Sequence, residues 1–433
     1  MTSFRVVFAL LLIVLTGCGA GGTRTQLAQP PNLVTLEGGV AYPEQEVPAA
    51  WRTVRSEVLY VTDRNPAVSE TGRVTGYGDM RSKAMAYGAS LVAFGDLQSW
   101  DELVALSSGD VPPDIIQLDA LAVTEIARFP ETPLPYVEGG GRLQTTPEAN
   151  AAYEASARAM RNDLSRRLRQ TGVDRVTVYV HGFNNEFDDA VGTMANIWHF
   201  TGRQSLPVIY SWPAGSDGVL AYFRDSESGE FSVFHLKEFM RVLASVPELK
   251  RIDIIAHSRG TAVTTVALRE MLLEARGSGE NVREKLKTGT LILAAADLDV
   301  GVAQQRLVAE RFGNAFEQIN IYVNPNDGAL FLSGIIGAVE RVGGMNVNNM
   351  TETDREEIAE SGNVSVILVE RGNRSLGHTY FRDNPAVMSD IILALWTGAR
   401  AGTAARPLQR ISPNLYNLPP DYPGDMTTVI DEL

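Results

Sequence analysis

Ser258 is the residue of this chain best placed to do chemistry. It lies in Ile252-Asp-Ile-Ile-Ala-His-Ser-Arg-Gly260, an apolar run ending in a small-x-Ser-x-small turn, and Thr261 to Leu273 reads as a helix. A serine at so sharp a turn between strand and helix has strained backbone angles and presents its hydroxyl in the open. Side chains two positions before and after it would collide, and Ala256 and Gly260 are both small. Such a serine becomes a nucleophile for acyl transfer when a base takes its proton. Histidine is the commonest base. The chain has five, and only His378 lies C-terminal to Ser258.

A serine–histidine pair needs a carboxylate that orients the imidazole. Three aspartates between Ser258 and His378 follow apolar runs: Asp327 in Asn324-Pro-Asn-Asp-Gly328, and Asp297 and Asp299 just after Thr290–Ala295. All three fall at the C-terminal ends of expected strands, where catalytic residues of open α/β sheets gather. Asp327 is favoured, although Asn-Asp-Gly is also a common plain turn. Acyl transfer further needs N–H donors aimed at the oxygen that becomes negative. Arg259, directly after the nucleophile, is one expected donor. The run Arg175–Val180 leads into His181-Gly-Phe-Asn-Asn185, where Gly182 lets backbone approach a substrate, and Phe183 is the expected second donor. His181 reads as a structural residue pinning that loop, and His257 as a structural residue facing away from the base position. His199 and His235 carry no assigned role.

The elements that must position these groups alternate. Strands are expected at Glu57–Asp63, Ala86–Phe94, Arg175–Val180, Pro207–Trp212, Ile252–Ala256, Thr290–Ala295, Gln318–Val323 and Val364–Val369, and helices at 147–171, Asp188–Gly202 and Phe234–Ala244. Strands alternating with helices predict an α/β fold: a mostly parallel central sheet with helices on both faces. The expected domain spans 51–400. Within it, residues 97–145 are rich in proline and carry Gly139-Gly140-Gly141, and read as an excursion or cap over the sheet. Residues 401–433 read as a proline-rich, meandering tail.

Composition narrows the function classes. At 433 residues there is chain for one large core or two domains, and 44% hydrophobic residues is ordinary for a globular protein. A formal charge of −14 argues against nucleic acid or anionic headgroups as partners of the body. No His/Cys cluster has metal-ligand spacing, and no metal or other cofactor is expected. Arg5 followed by the apolar run Val6–Leu15, too short to span a bilayer, reads as a signal peptide over 1–17. It ends in Leu15-Thr-Gly-Cys18, and Cys18 is the only cysteine of the chain, so no internal disulfide can form.

Leu15-Thr-Gly-Cys18 resembles the lipobox of bacterial lipoproteins. That resemblance implies cleavage before Cys18, acylation of its thiol and a place in the bacterial cell envelope; residues 18–50, rich in Gly, Pro, Gln and Thr after the cysteine, read as a flexible tether between lipid and fold. Gly19 after the cysteine, by resemblance to the sorting pattern of enteric bacteria, implies the outer membrane facing the periplasm. A second resemblance covers residues 55–398. Leu59-Tyr-Val-Thr-Asp-Arg64, His181-Gly-Phe-Asn-Asn with Phe187, Tyr210-Ser-Trp-Pro213, Ala256-His-Ser-Arg-Gly260, Asn326-Asp-Gly-Ala-Leu330 and Gly377-His-Thr-Tyr-Phe381 resemble a branch of bacterial α/β-hydrolases described as esterase/lipase-like and of unknown function. In that fold the triad runs Ser, acid, His along the chain, and the acid follows the seventh strand when the nucleophile follows the fifth. The resemblance implies Ser258, Asp327 and His378 as the triad. Family members often carry Met or Leu after the serine, and this chain departs from them with Arg259.

The expectation is a membrane-anchored serine hydrolase of small-molecule or lipid carboxylic esters. An envelope scaffold that keeps the fold without catalysis, and an amidase or acyltransferase using the same triad, are the alternatives. Residues 97–145 and 335–362 show no long, strongly apolar lid, which predicts soluble or short-acyl esters. Oligomeric state is left open by the sequence.

Overall fold

The protein is described by a computed structural model covering residues 25–109, 116–215, 221–337, 339–370 and 377–431. Among the described residues thirteen strands form in chain order: β1 Arg55–Val68, β2 Val74–Phe94, β3 Leu118–Arg128, β4 Tyr136–Gly139, β5 Arg142–Thr145, β6 Arg175–Val180, β7 Leu206–Ser211, β8 Arg251–His257, β9 Thr288–Ala294, β10 Gln318–Val323, β11 Val364–Val369, β12 Gln409–Ser412 and β13 Leu415–Leu418. Eleven of them share one sheet in the order β12-β13-β11-β10-β9-β8-β6-β7-β1-β2-β3, and β4 and β5 pair as a separate hairpin. Every pairing from β1 through β7, β6, β8, β9, β10 and β11 to β13 is parallel. The antiparallel pairings lie at the two edges, in β1–β2–β3 and in β12–β13.

Parallel strands need both faces covered, which explains their unbroken apolar runs. Side chains alternate across a strand, so each strand feeds two cores. On one face Val176, Val178 and Val180 of β6 and Ile252, Ile254 and Ala256 of β8 meet Met160 and Leu164 of the helix Pro147–Thr171, Phe239 and Met240 of the helix Ala221–Ala244, and Leu268 and Leu272 of the helix Gly260–Gly277. On the other face Tyr179 and Ile255 meet Val191, Met194 and Trp198 of the helix Phe187–Phe200 and Val387 and Ile391 of the helix Pro385–Thr397. The α/β architecture with helices on both faces is as the sequence predicts.

Three boundary expectations are corrected. Residues 25–50 of the expected tether are part of the fold: Leu33, Tyr42 and Val47 are buried, and the Tyr42 hydroxyl is bonded to His199. The stretch 97–145 is not a cap over the sheet. Its segment Leu118–Arg128 extends the sheet antiparallel to β2, while the helix Trp100–Ser107 and the exposed hairpin β4–β5, turning at Gly140 and Gly141 with φ of 62° and 76°, lie outside the sheet. The tail is built in as well. β13 pairs with β11, and Arg406, fully buried, binds Asp390 of the helix Pro385–Thr397, which also receives the hydroxyls of Tyr322 and Tyr422. Cys18 and the signal segment lie outside the described residues. Among the described residues no helix is long and apolar enough to cross a membrane.

Candidate active site

Strands β6 to β11 point their C-terminal ends to one side of the sheet, and the chemistry-bearing residues leave from there. β8 delivers Ser258, which has φ of +50°, the left-handed region a non-glycine residue enters only under constraint. The constraint is visible. Ser258 N–H donates to Ala294 O at 3.0 Å, and its carbonyl accepts from Thr261 N–H at 3.1 Å and Thr261 Oγ1 at 2.6 Å. Two glycines make the turn possible. A Cβ on Gly260 would overlap the carbonyl oxygen of His181, and one on Gly182 would sit 2.8 Å from Ser258 Cβ. The loop after β6 and the nucleophile turn therefore touch backbone to backbone.

β10 delivers Asp327, whose side chain is fully buried. Its Oδ1 accepts the N–H groups of Ala329 and Leu330 at 3.0 Å each, capping the helix Gly328–Gly337, and its Oδ2 accepts from His378 Nδ1 at 2.8 Å. Asn324 ties this loop to the next one, donating from Nδ2 to Gly377 O at 3.1 Å. His378 follows β11 and keeps 21% of its side chain exposed. With Nδ1 donating to Asp327, Nε2 is left to accept a proton. Among the described residues neither His378 Nε2 nor Ser258 Oγ has a hydrogen-bond partner; catalytic bonds in unliganded enzymes are often long and tighten with substrate.

The structure thus brings His378 to Asp327 and not to the alternative acids. Asp297 is buried in a separate network, where Tyr222 and Ser333 donate their hydroxyls at 3.0 Å and Arg341 Nε lies 3.1 Å away. Asp299 caps a short helix through Val302 N–H at 2.7 Å. Asp297 still bears on the site, because its N–H donates to Ser258 O at 3.3 Å.

His257 does not simply face away from the base. Its Nε2 lies 3.0 Å from His378 O, and its ring stacks on Phe381 with centroids 4.5 Å apart. Burial, with the neighbouring His378 adding to it, pushes its pKa well below the usual histidine value, so it is neutral and donates from Nε2. His181 is structural as expected. Arg64 donates to its Nε2 at 3.2 Å, so Nδ1 carries the hydrogen toward Gly182 O at 2.9 Å, and Trp212 stacks on the ring. Burial first, then Arg64, lowers its pKa to about 3.

Of the expected oxyanion donors, Phe183 N–H and Arg259 N–H both lack a partner among the described residues, in loops that meet at Ser258. Phe183 packs its ring against Tyr222 with centroids 5.7 Å apart. Sequence reasoning gave no role to Arg64, Asp225, Tyr222 or Arg341, which hold these loops. The signal in reach was Arg64, a charged residue closing an apolar strand; Asp225, inside a helix, gave none. It also passed over the helix Gly328–Gly337, which directly follows Asp327 and exposes Phe331 and Ile335, so an apolar element does flank the site. A cavity of about 1120 Å³ lies against β9, β10 and β11 and is lined by none of the expected triad residues. Among the described residues no group of His, Cys, Asp and Glu side chains could hold a metal ion.

A doubly covered parallel sheet with serine, aspartate and histidine leaving the C-terminal ends of β8, β10 and β11 in that order defines an α/β-hydrolase. The chain belongs to the family described as "Alpha/beta hydrolase of unknown function (DUF900)", which it matches over residues 156–395. Comparison with curated proteins finds no match. Among solved structures, an esterase from Pyrobaculum calidifontis is similar over 60% of this chain and 72% of its own, with 10% identity and a TM-score of 0.22, a likeness that carries no functional argument.

Proposed function

We propose that this α/β-hydrolase cleaves carboxylic esters through Ser258, His378 and Asp327. What supports the reading is the 2.8 Å bond between His378 Nδ1 and Asp327 Oδ2, joining the one histidine downstream of the strained serine to a buried carboxylate. In the reaction Ser258 Oγ attacks the ester carbonyl while His378 Nε2 takes its proton. The carbonyl oxygen becomes negative and accepts from Phe183 N–H and Arg259 N–H. The tetrahedral intermediate collapses, the C–O bond to the alcohol breaks, and His378 returns the proton to that oxygen. Water then repeats the sequence on the acyl-serine and frees the acid. Asp327 holds the imidazole tautomer and stabilises its charged form. None of these steps draws on a cofactor.

The same proposal has the enzyme tethered to a membrane of the cell envelope through acylated Cys18, supported by the run Val6–Leu15 before Leu15-Thr-Gly-Cys18. A fluorophosphonate probe and p-nitrophenyl esters test the chemistry. Labelling and turnover are expected in the wild type and are expected to vanish in Ser258→Ala; turnover retained in that variant overturns the triad. Mass spectrometry of the mature protein tests the anchor, and an unacylated Cys18 overturns it.

A further inference from the structure

The oxyanion loop needs an explanation of its own. It runs from His181 to Asn185, belongs to no helix or strand, and includes Asn184 at φ of +51°. A loop in that state has little intrinsic reason to hold Phe183 N–H in one place. Two charged residues from other elements grip it.

Arg64, at the C-terminal part of β1's buried run, is 1% exposed. All five of its donor positions are used. Nε donates to Ser211 Oγ at 2.8 Å. One terminal nitrogen donates to Ala214 O at 2.7 Å and Gly78 O at 3.1 Å. The other donates to Asn185 O at 2.6 Å and His181 Nε2 at 3.2 Å. Every acceptor is neutral. The last two are the two ends of the oxyanion loop. Asp225, fully buried on the helix Ala221–Ala244, grips the same backbone from the other polarity: its Oδ2 accepts Asn184 N–H and Gly215 N–H at 3.2 Å each. The cation therefore holds the carbonyls of Asn185 and Ala214, and the carboxylate holds the N–H groups of Asn184 and Gly215. Both bridge the same two loops, one residue apart.

We propose that Arg64 and Asp225 are a two-sided clamp that sets the position of the Phe183 oxyanion donor; they are positioning residues, acting through the loop without touching substrate. The inference rests on the esterase reading above. A guanidinium with five neutral acceptors contributes geometry more than charge neutralisation, and rigid donors stabilise an oxyanion best because they need no reorganisation as charge develops. Loosening the loop weakens an interaction made in the transition state and leaves ground-state binding nearly intact. That pattern lowers kcat with little change in KM.

The test is Arg64→Gln, with Asp225→Ala as a second variant should the first not fold, each in the full chain. Amide exchange over residues 181–185 is expected to speed up in both. On the best ester, kcat is expected to fall by about 10- to 100-fold with KM within about threefold, the scale of a misplaced or lost oxyanion donor. Affinity for a trifluoromethyl ketone, which forms an oxyanion on Ser258, should fall in parallel. Arg64→Lys, which restores charge without the fork, is expected to recover only part of the loss. Unchanged exchange, or unchanged kcat in a folded variant, overturns the clamp. Turnover that survives Ser258→Ala overturns the triad instead, and the exchange measurement still decides the clamp.

Discussion

His257 Nε2 and the carbonyl oxygen of His378 lie 3.0 Å apart, so the residue next to the nucleophile holds the backbone of the residue proposed to activate it. The bond spans 121 positions of sequence and closes the site from the β8 side, while Asp327 closes it from β10. A neutral hydrogen bond has a net worth of about 0.5–1.5 kcal/mol. His257→Phe keeps a ring against Phe381 and loses only the donor. It is expected to lower kcat by roughly 2- to 10-fold, on the scale of about 1.4 kcal/mol per tenfold, without abolishing labelling of Ser258. Steady-state kinetics check this. An unchanged kcat would mean that Asp327 alone fixes the imidazole.

Asp327 and Asp297 separate the proposed catalytic role from a scaffolding one. Asp327→Asn keeps shape but removes the charge facing His378 Nδ1, and a loss of about 10⁴ in kcat is the scale for a triad acid amidated in this way. Asp297→Asn leaves Arg341 without its ion-pair partner beside a 3% exposed side chain. Its expected signature is the reverse: a clear fall in melting temperature with a much smaller fall in kcat. Kinetics and thermal unfolding of both variants decide the assignment, and an inactive, stable Asp297→Asn would transfer the acid to the loop after β9.

How much of this was legible follows from where the information sits. The β8 elbow could be read because an apolar strand, two small residues and a helix are contiguous. His378 could be read because no other histidine lies beyond Ser258. The choice of Asp327 over Asp297 was only a matter of expected strand count, since both follow apolar strands; the hydrogen-bond partners separate them. The sheet's edges were legible only in part. The buried half of β2 is the expected strand Ala86–Phe94, but its first half is mostly half-buried or exposed, including Met80 at 57%, and β3 carries Asp119, Thr124 and Glu125, so those stretches lack a buried strand's composition. The grip of Arg64 on Asn185, 121 positions away, has no local pattern at all.

Three histidines are held neutral by burial, which makes stability depend on pH. The pKa of His181 falls from 6.5 to about 3, and those of His199 and His257 fall well below the same ordinary value, in each case chiefly through desolvation. Their folded values lie below the unfolded ones, so the unfolded chain binds the protons first. This contribution is complete above about pH 6.5 and is lost as pH falls below it. Each histidine adds a slope of up to about 1.4 kcal/mol per pH unit in that window. Urea unfolding between pH 7.5 and 4.5 checks the sign, and a midpoint that holds steady or rises toward pH 4.5 would contradict it. The expected loss begins above the ordinary carboxylate range, which separates it from acid unfolding driven by aspartate and glutamate.

The acyl preference turns on the helix Gly328–Gly337. The sequence expectation of short acyl groups rested on the lack of an apolar lid, yet this helix starts at the residue after Asp327 and exposes Phe331 at 72% and Ile335 at 53%, one turn apart on one face. It is fixed to the site, since Ser333 donates to Asp297, whose N–H reaches Ser258 O. An acyl chain leaving the acyl-serine toward that face gains about 0.8 kcal/mol for each methylene it buries. Octanoyl esters are therefore expected to show a higher kcat/KM than acetyl esters of the same alcohol. Phe331→Ser is expected to reduce that ratio by several-fold while leaving acetyl turnover nearly unchanged. The helix is only ten residues long and its exposed face is small, so no rate jump is expected when palmitoyl esters pass their solubility limit. Acetyl esters preferred in the wild type, with Phe331→Ser neutral on every ester, would restore the short-acyl expectation and leave the exposed phenylalanine without a role in turnover.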